Sequence, residues 1–170
     1  YEVNLSFTDP ATAPTVASSG VPEQQDGFIR YSITSARTFA LAASREFQVS
    51  STQVGDILVS SYYFPLSEVG GQAAMKASAE AIQVYGQQYG PYSHKTLAIV
   101  MGDFNDGMEY SAFFYLPRDF YGGLYDGTPA NYLTFVSVHE TAHQWWFEQV
   151  ANDQAQQPWL DESLATYSER

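Results

Sequence analysis

The pattern of apolar and polar residues predicts that the first part of the chain is built from strands. Apolar residues alternate with polar ones from Tyr1 to Phe7, as in a strand with one buried face. Further strand patterns follow at residues 27–33, 38–43, 46–52 and 56–63. Residues 8–25 contain three prolines and many small polar residues. We therefore expect a loop there, with at most one short strand.

The later pattern alternates between helices and strands. Residues 68–89 are the clearest helix, because they are rich in Ala, Glu and Gln and end at Gly90-Pro91. Residues 133–150 are apolar on most faces, which predicts a buried helix. The other predicted elements are strands at 97–101 and 110–116, a loop at 117–129, and a helix that starts near Pro158 or Asp161 and reaches Glu169.

These elements together predict an α+β chain made of two parts. We expect residues 1–53 to form antiparallel strands and residues 54–170 to form helices packed against a mixed sheet. No internal repeat or low-complexity tract interrupts either part.

Composition excludes several classes of function. The net charge is −12 with only 7 Lys and Arg residues, so no nucleic-acid partner is expected. Cysteine is absent, which excludes thiol catalysis, disulfides and cysteine-type zinc sites and leaves the compartment open. No apolar run reaches the length of a membrane span. The Ser, Thr, Gln and Tyr content with little Lys is compatible with an exported protein.

The strongest chemical signal is the H-E-x-x-H motif at residues 139–143. Positions i and i+4 share one face of a helix, so His139 and His143 can bind the same cation. Glu162 follows in the next predicted helix, and two His with one carboxylate form a catalytic zinc set that leaves a position for water. Glu140 lies beside the metal rather than on it. The alternative is a buried helix with two hydrogen-bonded histidines.

Other polar residues near the motif have less specific interpretations. Glu169 shares a face with Glu162 and is a candidate hydrogen-bond acceptor behind His139, or else a solvated glutamate at the helix end. Asp161 is interpreted as a helix-start residue rather than a ligand. Glu148 is a charge within a buried segment that the metal does not explain. His94 lies in a polar turn and is interpreted as a surface histidine.

Two groups of motifs resemble one enzyme family. The segment H-E-T-A-H-Q-W-W, then N-D-Q and P-W-L-D-E-S-L-A-T-Y-S-E, resembles the M1 zinc aminopeptidases of the gluzincin group. Upstream, the residues Gly107-Met108-Glu109-Tyr110 are similar to the family's G-x-M-E-N exopeptidase motif. The likeness is strong over residues 103–169 and weak before Tyr62. Ser163 replaces a usual Gly, and Phe147-Glu148 replace a frequent Gly-Asn.

The resemblance implies a fold and a reaction. Residues up to about 51 would be the end of an N-terminal antiparallel β-domain, and residues from about 55 the first half of a thermolysin-like catalytic domain. One Zn²⁺ would activate water for attack on a peptide bond, with Glu140 as general base. Glu109 would bind the α-ammonium of a peptide with a free N-terminus, and the backbone of Gly107 and Met108 would align that peptide.

The resemblance also implies missing parts. The family uses a tyrosine beyond the third ligand and then a long helical domain, and neither is found before Arg170. We therefore expect a fragment that turns over poorly by itself. Two other functions stay open: a non-catalytic zinc-fold binding domain or inactive fragment, and a thermolysin-like endopeptidase. Glu109 argues against the endopeptidase.

Overall fold

The computed structural model describes residues 1–122 and 125–170 and shows an α+β protein with mixed sheets. Its strands are β1 (Glu2–Leu5), β2 (Thr15–Ser18), β3 (Val21–Gln25), β4 (Phe28–Ser32), β5 (Leu41–Ser44), β6 (Gln48–Val54), β7 (Ile57–Tyr63), β8 (Thr96–Gly102), β9 (Met108–Tyr110) and β10 (Phe113–Pro117). Its α-helices are α1 (Glu68–Gln88), α2 (Arg118–Gly122), α3 (Tyr132–Ala142) and α4 (Trp159–Ser168).

The early strands form two small antiparallel sheets, one in the order β1-β4-β3 and one pairing β2 with β5. The expected strands near 1–7 and 27–33 are confirmed. The prediction for residues 8–25 was wrong, since they contain β2, β3 and a short 3-10 turn at Pro10–Thr12. Strand β3 is mostly exposed and carries Pro22, which an edge strand tolerates, so it shows no apolar alternation.

A mixed five-stranded sheet has the order β6-β7-β8-β10-β9, with parallel pairing at its centre and antiparallel pairing at both edges. The expected boundary between residues 53 and 54 falls inside β6, which pairs with β7 in this sheet. Gly55, with φ of +61°, belongs to the tight hairpin turn between these strands rather than to a linker. The change from one sheet to the next therefore precedes Gln48.

The expected single strand at 110–116 is two strands joined by a tight turn at Ser111 and Ala112. Ala112 is fully buried and has φ of +54°, an unusual value for a residue with a side chain. Hydrogen bonds from the rest of the fold hold this turn: Gln144 Oε1 accepts from Ala112 N at 2.9 Å, and Thr38 Oγ1 accepts from Ser111 N at 2.9 Å. As a result, β9 becomes the edge strand beside the motif helix.

Helix α1 confirms the clearest sequence prediction and packs on β6, β7 and α3. Its contact face belongs to the main apolar core, which includes Ala74, Ile82, Leu97, Ile99, Phe114, Leu116 and Leu133. The predicted loop at 117–129 contains helix α2, and residues 123 and 124 of that loop lie outside the described residues. Among the residues described, no helix combines the length and apolarity that crossing a membrane requires.

The motif helix is shorter than its apolar pattern predicted. Helix α3 ends at Ala142, and residues 143–149 continue as turns, with Glu148 N donating to His143 O at 3.0 Å. Helix α4 returns to α3 through an apolar cluster formed by Ala81, Tyr85, Ala142, Trp145 and Ala165. Ser168 anchors its end, since its Oγ accepts from Trp146 Nε1 at 3.0 Å and its carbonyl accepts from Tyr85 Oη at 3.0 Å.

Candidate metal centre

The two motif histidines lie at the end of α3, where their rings face one point. Asn131 starts the helix by accepting a hydrogen bond from Thr134 N at 3.0 Å. Two turns later, His139 Nε2 lies 3.2 Å from His143 Nε2. His143 is buried and His139 is partly buried. The i, i+4 spacing therefore brings both rings to one face, as the motif predicted.

Helix α4 brings a carboxylate to the same point. Glu162 Oε2 lies 3.2 Å from His139 Nε2 and 3.7 Å from His143 Nε2. In a tetrahedral zinc site, ligand atoms about 2.0–2.1 Å from the metal lie about 3.3 Å from one another. The separations of these three atoms are close to that value, so the residues fit a tetrahedral cation of this size.

The outer ring nitrogens show how these atoms could accept a cation. His143 Nδ1 lies 3.1 Å from the Trp146 carbonyl oxygen, and His139 Nδ1 lies 3.1 Å from Glu169 Oε2. Both partners are acceptors, so each Nδ1 is the donor and a neutral ring keeps its lone pair on Nε2. Two lone pairs and the Glu162 carboxylate then face one another, an arrangement that a shared cation stabilises. His139, His143 and Glu162 could together hold a metal ion.

The pKa directions of the metal-free groups reflect the same convergence. Burial by itself lowers the pKa of His139, but the carboxylates of Glu162 and Glu169 outweigh burial and raise that pKa above its ordinary value of 6.5. The hydrogen bond with His139 lowers the pKa of Glu162 below its ordinary value of 4.5. In the absence of metal, the centre therefore favours a proton on His139.

Glu140 points into the space beside the three ligand atoms. Glu140 is 4% exposed, and its Oε2 is buried without a hydrogen-bond partner among the described residues. Burial, followed by the charges of Glu109, Glu162 and Asp106, raises the pKa of Glu140 well above its ordinary value. The carboxylate thus lacks a donor and lies where a small O–H or N–H ligand could supply one.

Gly107 is part of the wall against Glu140. A Cβ atom on Gly107 would lie 2.0 Å from Glu140 Oε1, so the carboxylate occupies the space that any other side chain would need. The next residue, Met108, has an exposed side chain. The structure thus brings Gly107 to the centre through its backbone and points the Met108 side chain to solvent.

Glu109, on the edge strand β9, is also brought to the centre. It is only 9% exposed, so it is not a solvated glutamate of that edge strand. One of its carboxylate oxygens forms, with atoms of Glu140 and His143, a set lying within 4.8 Å of one another. A cleft of about 560 Å³ opens over this set, and it is lined by Asp106, Gly107, Glu109, Tyr132, Phe135, Val136, His139, Glu140, Glu162, Thr166, Glu169 and Arg170.

The sequence position of Asp161 suggested that this residue starts helix α4, but it is not the N-cap of that helix. Pro158 holds the N-cap position, and Asp161 is buried in the first turn of the helix. Its Oδ1 accepts from Asn152 Nδ2 at 2.7 Å, and its Oδ2 accepts from Gln154 Nε2 at 2.6 Å. Asn152 and Gln154 belong to the N-D-Q stretch of the resemblance, but no local pattern marks such an amide as a hydrogen-bond donor to the site.

His94 is buried, so its interpretation as a surface histidine was wrong. Its Nε2 lies 2.8 Å from Glu148 Oε1, and Ser111 Oγ donates to Glu148 Oε2 at 2.6 Å. Burial raises the pKa of Glu148, but these hydrogen bonds outweigh burial and lower it below its ordinary value. The unexplained charge of Glu148 in a buried segment was the available signal that a polar partner had to exist.

Comparisons with known proteins add no assignment. No protein-family model matches the chain, and no curated protein matches it. The geometry of the site, together with the motif resemblance, therefore carries any functional conclusion.

Proposed function

We propose that the chain is a zinc-dependent aminopeptidase of the M1 type, which hydrolyses the first peptide bond of a peptide with a free N-terminus. The observation that carries the proposal is the position of Glu109. Its carboxylate is buried and lies within 4.8 Å of atoms of Glu140 and His143. A carboxylate at that distance from a metal centre can bind the α-ammonium of the residue whose carbonyl is attacked.

Charge around the centre supports a cationic ligand. Glu109, Glu140 and Asp161 are all buried, and Glu162 lies beside them. Buried carboxylates that lack a cationic partner are unfavourable, because they lose hydration without an attractive charge in return. A dication and one substrate ammonium would offset much of this negative charge. An endopeptidase substrate would instead place an uncharged peptide bond beside Glu109.

The chain's own residues have distinct roles in the proposed reaction. His139, His143 and Glu162 would hold Zn²⁺, which when bound supplies a Lewis acid for the scissile carbonyl and lowers the pKa of water. Glu140 would accept a proton from the attacking water and give it to the leaving amine. Glu169 would fix the ring of His139 through Nδ1, and the carbonyl of Trp146 would do the same for His143.

The arrangement of elements supports the domain interpretation. The motif helix α3 lies beside a mixed sheet whose edge strand β9 carries Met108, Glu109 and Tyr110, with Gly107 directly before it. We interpret this unit as the first half of a thermolysin-like domain and the small early sheets as the end of an N-terminal β-domain. A substrate backbone would lie along Gly107 and Met108.

A substrate pair tests the proposal directly. The zinc-loaded chain is assayed with a leucine coumarin amide and with its N-acetylated form. Glu109→Gln should lower kcat/KM for the free amine by about 30-fold or more, the lower range for losing a buried charge partner. The acetylated substrate should be unaffected by that change. Glu140→Gln should abolish both activities.

The outcomes separate the alternatives. If Glu109→Gln cleaves the free-amine substrate at the wild-type rate, the aminopeptidase proposal fails and a zinc protease of another mode remains. If the wild-type chain binds zinc and cleaves neither substrate, the non-catalytic zinc-fold binding domain or inactive fragment is favoured.

A further inference from the structure

One amide side chain joins the proposed amine anchor to the helix that carries the third metal ligand. Gln154 Nε2 lies 2.6 Å from Glu109 Oε1 and 2.6 Å from Asp161 Oδ2. Both carboxylates are buried, and Gln154 itself is partly buried in the segment between α3 and α4. Asp161 directly precedes Glu162 on α4, so the hydrogen-bonded chain ends beside the metal centre.

The chemistry of an amide suits this position. Two ionised carboxylates can only accept hydrogen bonds, and an NH₂ group offers two hydrogens on one nitrogen. Gln154 can therefore donate to both carboxylates without adding charge. A lysine here would neutralise Glu109 and compete with a substrate ammonium. A glutamate would add a third negative charge at hydrogen-bond distance.

We propose that Gln154 is a positioning residue that orients Glu109 for the substrate α-ammonium, an inference that rests on the proposed aminopeptidase function. Gln154 donates a hydrogen bond to Oε1 of Glu109, and Oε2 of Glu109 has no hydrogen-bond partner among the described residues. Oε2 of Glu109 is then the oxygen that accepts a hydrogen bond from the substrate ammonium. Asn152 holds Asp161 from the other side at 2.7 Å, so the segment between the helices sets the anchor's orientation.

A purely structural role predicts a different result from a positioning role. If Gln154 only holds the loop, its loss should lower stability or zinc content and weaken every ligand alike. If it positions Glu109, its loss should weaken only those ligands that carry an ammonium. A binding measurement separates these cases without requiring turnover.

Two zinc-binding probes provide that measurement. L-Leucine hydroxamate carries a chelating group and an α-ammonium, whereas 4-methylpentanohydroxamic acid keeps the chelator and side chain but lacks the amine. The ratio of their dissociation constants on the zinc-loaded chain measures how strongly Glu109 binds the α-ammonium. The variants are Gln154→Met and Gln154→Leu, which remove the donor. Gln156→Met is the matched control, since Gln156 is exposed in the same segment.

We expect the wild-type chain to prefer the amine probe by about 30-fold or more, the scale of a buried charge pair. Both Gln154 variants should reduce that preference about tenfold, the scale of one hydrogen bond to a charged group. Their zinc content, melting temperature and affinity for the amine-free probe should stay at wild-type values. Gln156→Met should change none of these quantities.

Each other outcome has a defined meaning. A wild-type chain without preference for the amine overturns the proposed function and the role of Gln154 with it. A wild-type preference that both Gln154 variants retain overturns the positioning role and leaves the proposed function standing. Loss of zinc or of the folded state in both variants assigns Gln154 to the structure and also overturns the inference.

Discussion

Replacing Gly107 with alanine should damage catalysis while leaving the fold almost intact. The new Cβ would lie 2.0 Å from Glu140 Oε1, 2.5 Å from Cδ and 3.0 Å from Cγ. Comfortable separations between such atoms are about 3.5 Å, so the carboxylate must move away by roughly 1.5 Å. The atoms that move are the end of a flexible side chain. We therefore expect a stability loss of about 1 kcal/mol or less.

The catalytic cost of that movement is larger. Misplacing a reacting group by about 1 Å can cost about 100-fold in rate. Gly107→Ala should thus lower kcat for a free-amine substrate about 100-fold, while zinc content and the affinity for an amine-bearing hydroxamate stay near wild type. Steady-state kinetics, metal analysis and thermal melting measure these three quantities.

A matched substitution controls for the change from glycine to alanine. Gly86 lies within α1, and a Cβ there would meet nothing within 4 Å. Gly86→Ala should stabilise the helix by about 0.5–1 kcal/mol and leave kcat unchanged. If Gly107→Ala retains wild-type kcat, then Glu140 is not held against Gly107 during the reaction and the reasoning fails.

Three further predictions concern metal, pH and the buried carboxylate. His139→Ala should lose most bound zinc after dialysis, since it removes one of the converging ligand atoms, and unchanged zinc content by atomic emission would refute the ligand assignment. Folding raises the pKa values of His139 and Glu140 above their ordinary values of 6.5 and 4.5. Their contribution to the free energy of unfolding is therefore complete when the pH is below those ordinary values, and it is lost as the pH rises through the pKa values of the folded state. The lowered pKa of Glu162 contributes stability above 4.5 that is lost as pH falls. The EDTA-treated chain should accordingly melt at its highest temperature near about pH 5 and lose stability towards about pH 8; excess zinc should remove that decline, and a rising melting temperature without metal would contradict the sign. His94→Ala should destabilise the fold by about 3 kcal/mol in urea, because it removes a partner from a buried carboxylate; a loss below about 1 kcal/mol would show that Glu148 is satisfied by Ser111 alone.

The parts of the site that follow a local period were predictable from sequence. The spacing of His139 and His143 required only that residues four apart share a helix face, and the structure places their rings together. Glu169 lies seven positions after Glu162, nearly two turns, and its carboxylate lies 3.1 Å from His139 Nδ1. The shared helix faces depend on each helix alone, so a linear pattern contains them, whereas the contact between Glu169 and His139 also requires α4 to pack against α3.

The remaining parts depend on contacts that no local pattern contains. The turn at Ala112 lacks glycine or proline, and hydrogen bonds from distant residues such as Gln144 impose it. His94 and Glu148 are 54 positions apart, and Gln154 and Glu109 are 45 positions apart. The strand at 21–25 was missed because its exposed edge position leaves no apolar alternation.

The attachment of helix α4 has a consequence for local order. This helix exposes Trp159, Leu164 and Tyr167 to solvent, and only Asp161 and Ala165 are buried within it. Elements with so few buried apolar side chains open at low free-energy cost. A cation shared by His139, His143 and Glu162 would act as a cross-link that closes the segment between the helices. The amide protons of α4 should then exchange slowly only when metal is bound, so a zinc titration followed by hydrogen exchange would measure the docking of one helix.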